Sequence, residues 1–208
     1  MRPFLCALTS LPALAVGAGA LAGDSLIGTV ERIENRATAQ SADRVRDLAR
    51  NSDVFFDEVL HTYEAARLDL RLVDDSHITM GPEAALRLDR FVFSSAEPGG
   101  ALGIRLLDGA FLFTGGAVEG PDGGHVRIRT RFAAIAVRGT TLWAGPIDDS
   151  YGVLVLSGEA RVGNAGQNVT LGPGEGTTLR TTASPPSPPV VWPQAKVDRA
   201  LAAVAFRD

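Results

Sequence analysis

The stretch IAVRGTTLW, residues 135–143, places an arginine, a glycine and two threonines in the middle of an apolar run. The apolar residues on both sides indicate a strand that is at least partly buried. A glycine inside such a strand marks a bulge or a close backbone approach, and a neighbouring threonine hydroxyl can bond the backbone groups that a bulge frees. We therefore interpret Arg138, Gly139 and Thr140 as a structural motif that fixes a bend.

Arg138 is the least expected member of this motif, because a guanidinium carries five donors and is costly to bury without partners. We predict that its side chain lies inside the fold and ties down carbonyls or a carboxylate of a nearby turn. On that interpretation Arg138→Ala destabilises the protein by about 2–4 kcal/mol. A ligand-binding role for Arg138 is the alternative.

The runs that flank this stretch alternate with a period of two, which is typical of strands with one buried face. RLDLRLV (67–73) alternates leucines with charged residues, and VRIRTR (126–131) alternates apolar residues with arginines. FAAIAV (132–137) and GVLVLSG (152–158) are apolar at successive positions, which predicts strands buried on both faces. Clusters of Gly, Asp, Asn and Pro separate the runs. The pattern predicts an all-β fold of stacked short strands, as a sandwich, a barrel or a short β-solenoid.

Residues 1–22 have the pattern of a secretory signal peptide, with a basic start, a short apolar stretch and small residues before the cut. We expect cleavage after Ala22; an uncleaved membrane anchor is the alternative. No other segment is apolar enough to cross a membrane. The protein is therefore expected to be periplasmic or secreted, with no transmembrane segment after cleavage.

The rest of the chain divides into a β domain over residues 23–183 and a C-terminal piece over residues 184–208. That piece begins with the proline-rich linker SPPSPP (184–189) and continues with an amphipathic helix over residues 193–206. The helix packs either on its own domain or on a partner. Residues 41–51 fit a short helix or an irregular loop anchored by a leucine.

No spacing in the sequence predicts catalysis. The three histidines are His61, His77 and His125, and none stands in a metal-binding or nucleophile motif. The single cysteine, Cys6, lies in the predicted signal peptide. We expect no catalytic residues, no metal, no cofactor and no enzymatic activity; an enzyme would need a pocket that gathers His61, Asp75 and His77.

A row of arginines at positions 127, 129 and 131 stands out in a chain whose net charge is −4. The pattern favours a solvated strand face whose arginines pair with acids from neighbouring strands. The alternative is that Arg127, Arg129 and Arg131 form a surface for an anionic ligand or partner. An acidic chain with one lysine does not fit general nucleic-acid binding.

Several of these stretches resemble the FecR-type periplasmic domain. VRIRTRFAAIAVRGT (126–140) is similar to the most specific signature of that family, with "TR" in place of its "TP". LRLVDDSHITMGPEAALRLDRFVF (70–93) resembles its stretch built on a "DGS" turn, so either Asp75 takes the positive-φ position of the glycine or the turn differs. LVLSGEARVGNAGQNVTLGPGEGTTL (154–179) is similar to its closing strands. The resemblance covers roughly Ile27 to Leu179.

The resemblance implies an all-β domain of stacked short strands without catalytic residues. Full-length regulators of this family carry a cytoplasmic anti-sigma segment and a transmembrane helix, whereas this chain starts with a predicted signal peptide. We therefore expect a secreted binding or signalling-accessory module whose partner is an envelope protein or a polymer. The alternative is a structural module, or one that binds carbohydrate or another polymer, in the cell envelope.

Overall fold

A computed structural model of the protein describes residues 25–42, 44–94, 100–119 and 124–207, and these residues form a 16-stranded sheet, a short 3-10 turn and an α-helix. The all-β prediction is confirmed. The predicted signal peptide lies outside the described residues. In the described part of the chain, the helix falls short of the length and apolar character that a membrane span requires.

The elements follow one another along the chain, with the 3-10 turn (Ala117–Glu119) between β10 and β11. Their bounds are β1 Leu26–Glu34, β2 Ala37–Gln40, β3 Val45–Asp47, β4 Asp53–Phe55, β5 Val59–Thr62, β6 Arg67–Leu72, β7 His77–Met80, β8 Ala85–Val92, β9 Ala101–Asp108, β10 Phe111–Thr114, β11 His125–Arg129, β12 Ala134–Ile147, β13 Ser150–Asn164, β14 Gln167–Leu171, β15 Glu175–Leu179, β16 Val190–Val191 and α1 Gln194–Ala202.

The strands form one curled sheet that encloses a single main core. Its path runs β3-β2-β5-β8-β9-β11-β12-β10-β7-β6-β1-β4. β12 has two neighbours on this path, because residues 134–137 pair with β11 and residues 141–144 pair with β10. β13 accompanies β12 as a long hairpin and carries β14 at one end and β15 at the other. The hairpin therefore passes from one half of the sheet to the other.

The period-two stretches fold as their pattern predicts. Leu68, Leu70 and Leu72 of β6 are buried, and Arg71 between them is exposed. In β11 the apolar residues face the core and the arginines face solvent. The turn between β6 and β7 places Asp75 at φ +60°, which is the first of the two alternatives for this turn.

The described residues of the 41–51 segment do not form a helix. Val45–Asp47 is strand β3, which pairs with β2 at the edge of the sheet, so the loop interpretation is the nearer one. Leu48 anchors the segment, with 7% of its surface exposed. The edge of β2 offers unpaired backbone groups, and an extended segment satisfies them better than a short helix would.

The prediction of two buried faces was correct for GVLVLSG and wrong for FAAIAV. Val153, Leu154 and Val155 are all buried. Ala134 and Ala136 are exposed, because nothing in the described chain covers the outer face of β12 at that end. Alanine exposes little apolar surface, so it is tolerated on either face of a sheet.

The C-terminal segment lies on the β domain. The backbone of Trp192 bonds Gly174, and Val190–Val191 pairs with β15. Ser187, inside the stretch interpreted as a linker, bonds the hydroxyl of Thr177 through its carbonyl at 2.7 Å. The helix is shorter than the predicted residues 193–206, and it packs on its own chain.

Candidate functional site: the bulged hairpin and the basic sheet face

The β12–β13 hairpin contains a pair of opposed bulges at its centre. Arg138 pairs with Glu159, but the next pair joins Thr141 to Ser157, so β12 holds one extra residue there. The following pair joins residues 142 and 155, so β13 then holds one extra residue in turn. Gly139 (φ +59°) and Gly158 (φ +78°) adopt the left-handed backbone that such bulges need.

The bulge reverses which side chains of β12 face the core. Ile135 and Val137 belong to the main core before it, and Leu142 and Ala144 belong to the same core after it. An uninterrupted strand keeps residues of one parity on one face, so the face changes from odd to even positions. Trp143 consequently points away from the main core and into a second apolar cluster.

β13 makes the matching change. Ala160 and Val162 face the main core on one side of Gly158, and Val153 and Val155 face it on the other. Leu154 then lies in the second cluster with the tryptophan of β12. Because both strands shift at the same level, the hairpin stays paired while it turns between the two halves of the sheet.

The Thr140 hydroxyl bonds backbone groups at the bulge. Its hydroxyl accepts a hydrogen bond from the Arg138 N–H at 3.0 Å and donates one to the Glu159 carbonyl at 2.8 Å. The residue is buried, so these backbone groups have no water to replace the hydroxyl. The Thr140 side chain thereby bonds the backbone of both strands at the place where the backbone hydrogen bonds between β12 and β13 are interrupted.

The prediction that the Arg138 side chain lies inside the fold was wrong. Arg138 is exposed, and its guanidinium forms no hydrogen bond or ion pair within the described ranges. The physical reason is the position of the bulge: Val137 takes the inward position, and the next residue must point outward. The bend depends on Gly139 and Thr140, not on the arginine side chain.

Glu119, at the end of the 3-10 turn, contacts the bulge from outside the hairpin. Its carboxylate accepts the Thr140 N–H at 3.2 Å. Burial raises the pKa of the Glu119 carboxyl, and the nearby Asp74 adds to that rise, while the hydrogen bonds from the Thr140 and Gly139 backbone oppose it. The hydrogen bonds therefore offset only part of the effect that burial has on the pKa of the Glu119 carboxyl.

We call residues 142–145 and 152–155 the covered end of the hairpin, because the second apolar cluster lies over their outer face. Trp143 meets Trp192 edge to face, with ring centroids 6.1 Å apart, and Ala200 and Val204 close over them. Asp148, in the hairpin turn, pairs with both cations of α1. The partners are Arg199 at 2.8 Å and Lys196 at 3.2 Å, and their hydrogen bonds lower the pKa of the Asp148 carboxyl.

The open end of the hairpin, residues 134–138 and 159–163, has no such cover. Arg127 of β11 lies beside Ala136, and Ala136 lies beside Arg161 of β13, all on the outer face. Arg127, Arg129 and Arg161 are exposed and form no ion pair with any residue that the structure describes. The predicted pairing with acids of adjacent strands is therefore absent for Arg127 and Arg129 in this part of the chain.

A groove of about 370 Å³ runs along β9 beside the open end, and we call it the β9 groove. Arg90 of β8 lines one side, and Arg127 and Arg129 of β11 line the other. Gly103 lies between them on β9. Asp89 also lines the groove and pairs with Arg105 at 3.0 Å.

The structure does not group the three predicted arginines together. Arg131 lies in the turn after β11, where the Thr130 hydroxyl accepts the backbone N–H groups of Phe132 and Ala133. The groove instead brings in Arg90, which the sequence analysis missed. A detectable signal was present, because Arg90 directly follows Asp89 and breaks the alternation of β8.

The histidines do not gather as an enzyme pocket would require. His61 lies on β5 and His77 on β7, on separate parts of the sheet path. Among the described residues, the one group that could hold a metal ion joins His77 to Glu31 and Asp69, with ligand atoms within 4.8 Å of one another. Burial raises the pKa of the Asp69 carboxyl.

Arg71 competes for this group. Its Nε lies 2.9 Å from Glu31, and the Nδ1 of His77 lies 3.6 Å from the same carboxylate. Glu31 therefore already has two basic neighbours. The arrangement is that of an ion-pair network across β1, β6 and β7.

Comparison with known proteins agrees with the family resemblance. The sequence profile described as "FecR protein" matches residues 58–161, which include the bulge and both sides of the β9 groove. The search of curated proteins found no match.

Two solved structures share the fold. Both are crystal structures of a candidate anti-sigma factor from Parabacteroides distasonis, at 16% and 18% sequence identity and a TM-score of 0.54 each. The alignments cover 69% of this chain and 63% and 64% of those chains, which is less than two thirds of their length.

Proposed function

This chain belongs to the FecR protein family, and from that premise we propose that it is an exported, non-enzymatic binding module that serves signalling by contacting an envelope partner. Proteins of the family are regulatory and usually associated with the envelope. The anti-sigma title of the two structural neighbours supports a role in the same kind of pathway. An envelope protein is the partner class that this role requires.

The observation that carries the proposal is the open, basic sheet face within the stretch that matches the family. The β-sheet backbone holds its outer side chains in fixed positions, which suits recognition of another molecule. Arg127 and Arg129 stand on that face with no ion pair inside the described chain, so a partner can supply their counter-charge. The covered end shows the contrast, since its cations pair within the chain.

Export is the second part of the proposal, and it rests on residues 1–22. A short basic start followed by an apolar stretch and small residues is the pattern that the secretion machinery recognises. The removal of these residues leaves the β domain without Cys6. The remaining chain has no cysteine that could be oxidised in an oxidising compartment.

The test is a complementation experiment in the native host. The gene is deleted, and the transcriptome is compared with that of strains that express either the full chain or a chain without residues 2–22. We expect deletion to change a defined set of transcripts, the full chain to restore them, and the shortened chain to fail at equal abundance. Restoration by the shortened chain would refute export, and an unchanged transcriptome after deletion would refute signalling.

Photo-crosslinking identifies the partner in the same strains. A photoreactive residue at Ala136 lies on the open end, and one at Val191, which is 72% exposed, provides the control elsewhere on the surface. We expect an envelope protein to crosslink at position 136 and not at 191, and its own deletion to change the same transcripts. A crosslinked protein whose deletion leaves those transcripts unaltered would count against the proposal.

A further inference from the structure

We propose that the β9 groove binds an extended acidic segment of a partner protein, with its carboxylates on Arg90, Arg127 and Arg129. This inference rests on the proposed function, because it names the chemistry by which the module would hold its partner. It also goes beyond that function, because a signalling module could bind through any other surface.

The groove has the shape for an extended chain. Gly103 lies on β9 between the arginines of β8 and β11, and it has no side chain to fill the space. A Cβ at this position would lie 2.6 Å from the Asp89 carboxylate and 2.9 Å from the Cβ of Arg90. Ala101, two residues away on the same strand, is also small. The floor of the groove is therefore backbone and small side chains, with the Asp89 carboxylate against Gly103, and His125 and the three arginines complete the lining.

The spacing of the arginines matches that of alternate side chains in an extended peptide. Arg127 and Arg129 are two residues apart on β11, which corresponds to about 6.6 Å. An extended ligand presents every second side chain on one face at the same interval. Carboxylates at alternate positions can thus meet successive guanidiniums, and a guanidinium can take a carboxylate with two parallel hydrogen bonds. A spacing set by a strand favours a peptide over a glycan.

The electrostatics of the chain point the same way. The whole chain has a net charge of −4, yet these three arginines form no ion pair within the described residues. Two other arginines of β8 and β9 do form ion pairs, Arg87 with Asp57 and Arg105 with Asp89. Guanidiniums left together without counter-charge repel one another, and an acidic ligand removes that repulsion.

The test uses a purified chain and two labelled probes. One is an eight-residue peptide of alternating serine and glutamate, and the other replaces each glutamate with glutamine. We expect the acidic peptide to bind in a fluorescence-anisotropy titration, with affinity that falls as salt rises. The glutamine peptide is expected not to bind. Equal binding of both peptides would overturn the proposal.

The variants locate the site. Arg127→Ser combined with Arg129→Ser should weaken binding of the acidic peptide by roughly tenfold. The matched control, Arg44→Ser with Arg180→Ser, removes the same charge from exposed positions outside the groove and should change binding less than about twofold. Equal losses in the two double variants would show a general charge effect and would refute the site.

Asp89→Asn tests the groove by a gain of peptide binding, which loss of folding cannot produce. It removes the acid that lines the groove and releases Arg105, so the peptide should bind more tightly, by about threefold. Unchanged or weaker binding would contradict the proposal.

Binding of heparin, a sulfated glycan, without binding of the acidic peptide would also contradict it. If the groove variants keep both the crosslink at Ala136 and the transcript pattern, the groove inference fails while the signalling function stands.

Discussion

The two ends of the β12–β13 hairpin carry similar backbones and opposite surfaces. At the covered end the outer face is apolar, and Trp192 and α1 lie over it. At the open end the outer face carries alanines, and arginines that form no ion pair with the residues that the structure describes. The bulges at Gly139 and Gly158 separate the ends, because they change which side chains point outward. One hairpin can therefore close the domain at one end and present a surface for recognition at the other.

The largest effect is expected from removing the cover. Trp192 is 5% exposed and packs on Trp143, so Trp192→Ala should lower the free energy of unfolding by about 3–5 kcal/mol, as for other large core truncations. Urea denaturation measures this. The neighbouring Val191→Ala is the control, and a surface position should change stability by less than about 0.5 kcal/mol. Similar losses for both variants would mean that Trp192 does not close the covered end.

Gly158→Ala tests the boundary between the ends. The new Cβ would meet the Gly139 carbonyl at a left-handed backbone position, and we expect a loss of about 2–4 kcal/mol. Gly166→Ala is the matched control, since Gly166 is also left-handed (φ +74°) but has nothing within 4 Å of the added Cβ. It should lose only about 1 kcal/mol. Equal losses in denaturant titrations would show that the close approach of the two strands does not matter.

Thr140→Val and Arg138→Ala distinguish the hydroxyl from the guanidinium within the motif. The valine keeps the shape of threonine but loses the hydrogen bond within β12 and the one to β13, so stability should fall by about 1–3 kcal/mol. The exposed arginine should contribute less than about 0.5 kcal/mol. A larger loss for Arg138→Ala than for Thr140→Val would restore the interpretation made from the sequence.

Glu119→Gln should have the smallest effect, and it should depend on pH. Because the pKa of Glu119 is raised in the folded protein, the native state binds the proton more readily than the unfolded chain does. The contribution of this carboxyl to stability is therefore lost as pH rises through the folded pKa. Glutamine stays neutral, so its advantage in melting temperature over the parent should grow between about pH 4 and about pH 7. A constant difference would contradict the pKa assignment.

The local apolar pattern predicted the strands, but it did not predict which outer faces of the sheet are covered. The leucines of β6 and the apolar residues of β11 predict their inward faces directly, since alternation is a local property. The change of face at Gly139 is hidden, because Ala134, Ala136 and Trp143 are apolar but point outward. Their environment depends on what lies over the sheet, and no local period encodes it.

The β9 groove was hidden for a different reason. It depends on the parallel pairing of β9 with β11, which brings Gly103 beside Arg127. Parallel partners are distant in sequence and are not joined by a hairpin, so alternation within each strand says nothing about them. The arginines of β11 were identifiable from the sequence, and the break at Asp89 and Arg90 marked an irregularity of β8, but nothing local placed Arg90 opposite Arg127.

The central claim is that the bulge reverses which side of β12 faces the main core. Positions 136 and 144 have the same parity, so an uninterrupted strand would place both on one face. In the structure Ala136 is exposed and Ala144 is buried. The measurement is the rate of maleimide labelling of Ala136→Cys and Ala144→Cys in the native chain, with Cys6 replaced by serine. The account predicts rapid labelling at 136 and labelling slower by at least about a hundredfold at 144, where reaction needs opening of the fold. It also predicts that 144 stays protected when Trp192→Ala removes the cover of the outer face, because Ala144 faces the main core; rapid labelling at 144 in that background would contradict it. Equal rates at the two positions would contradict it.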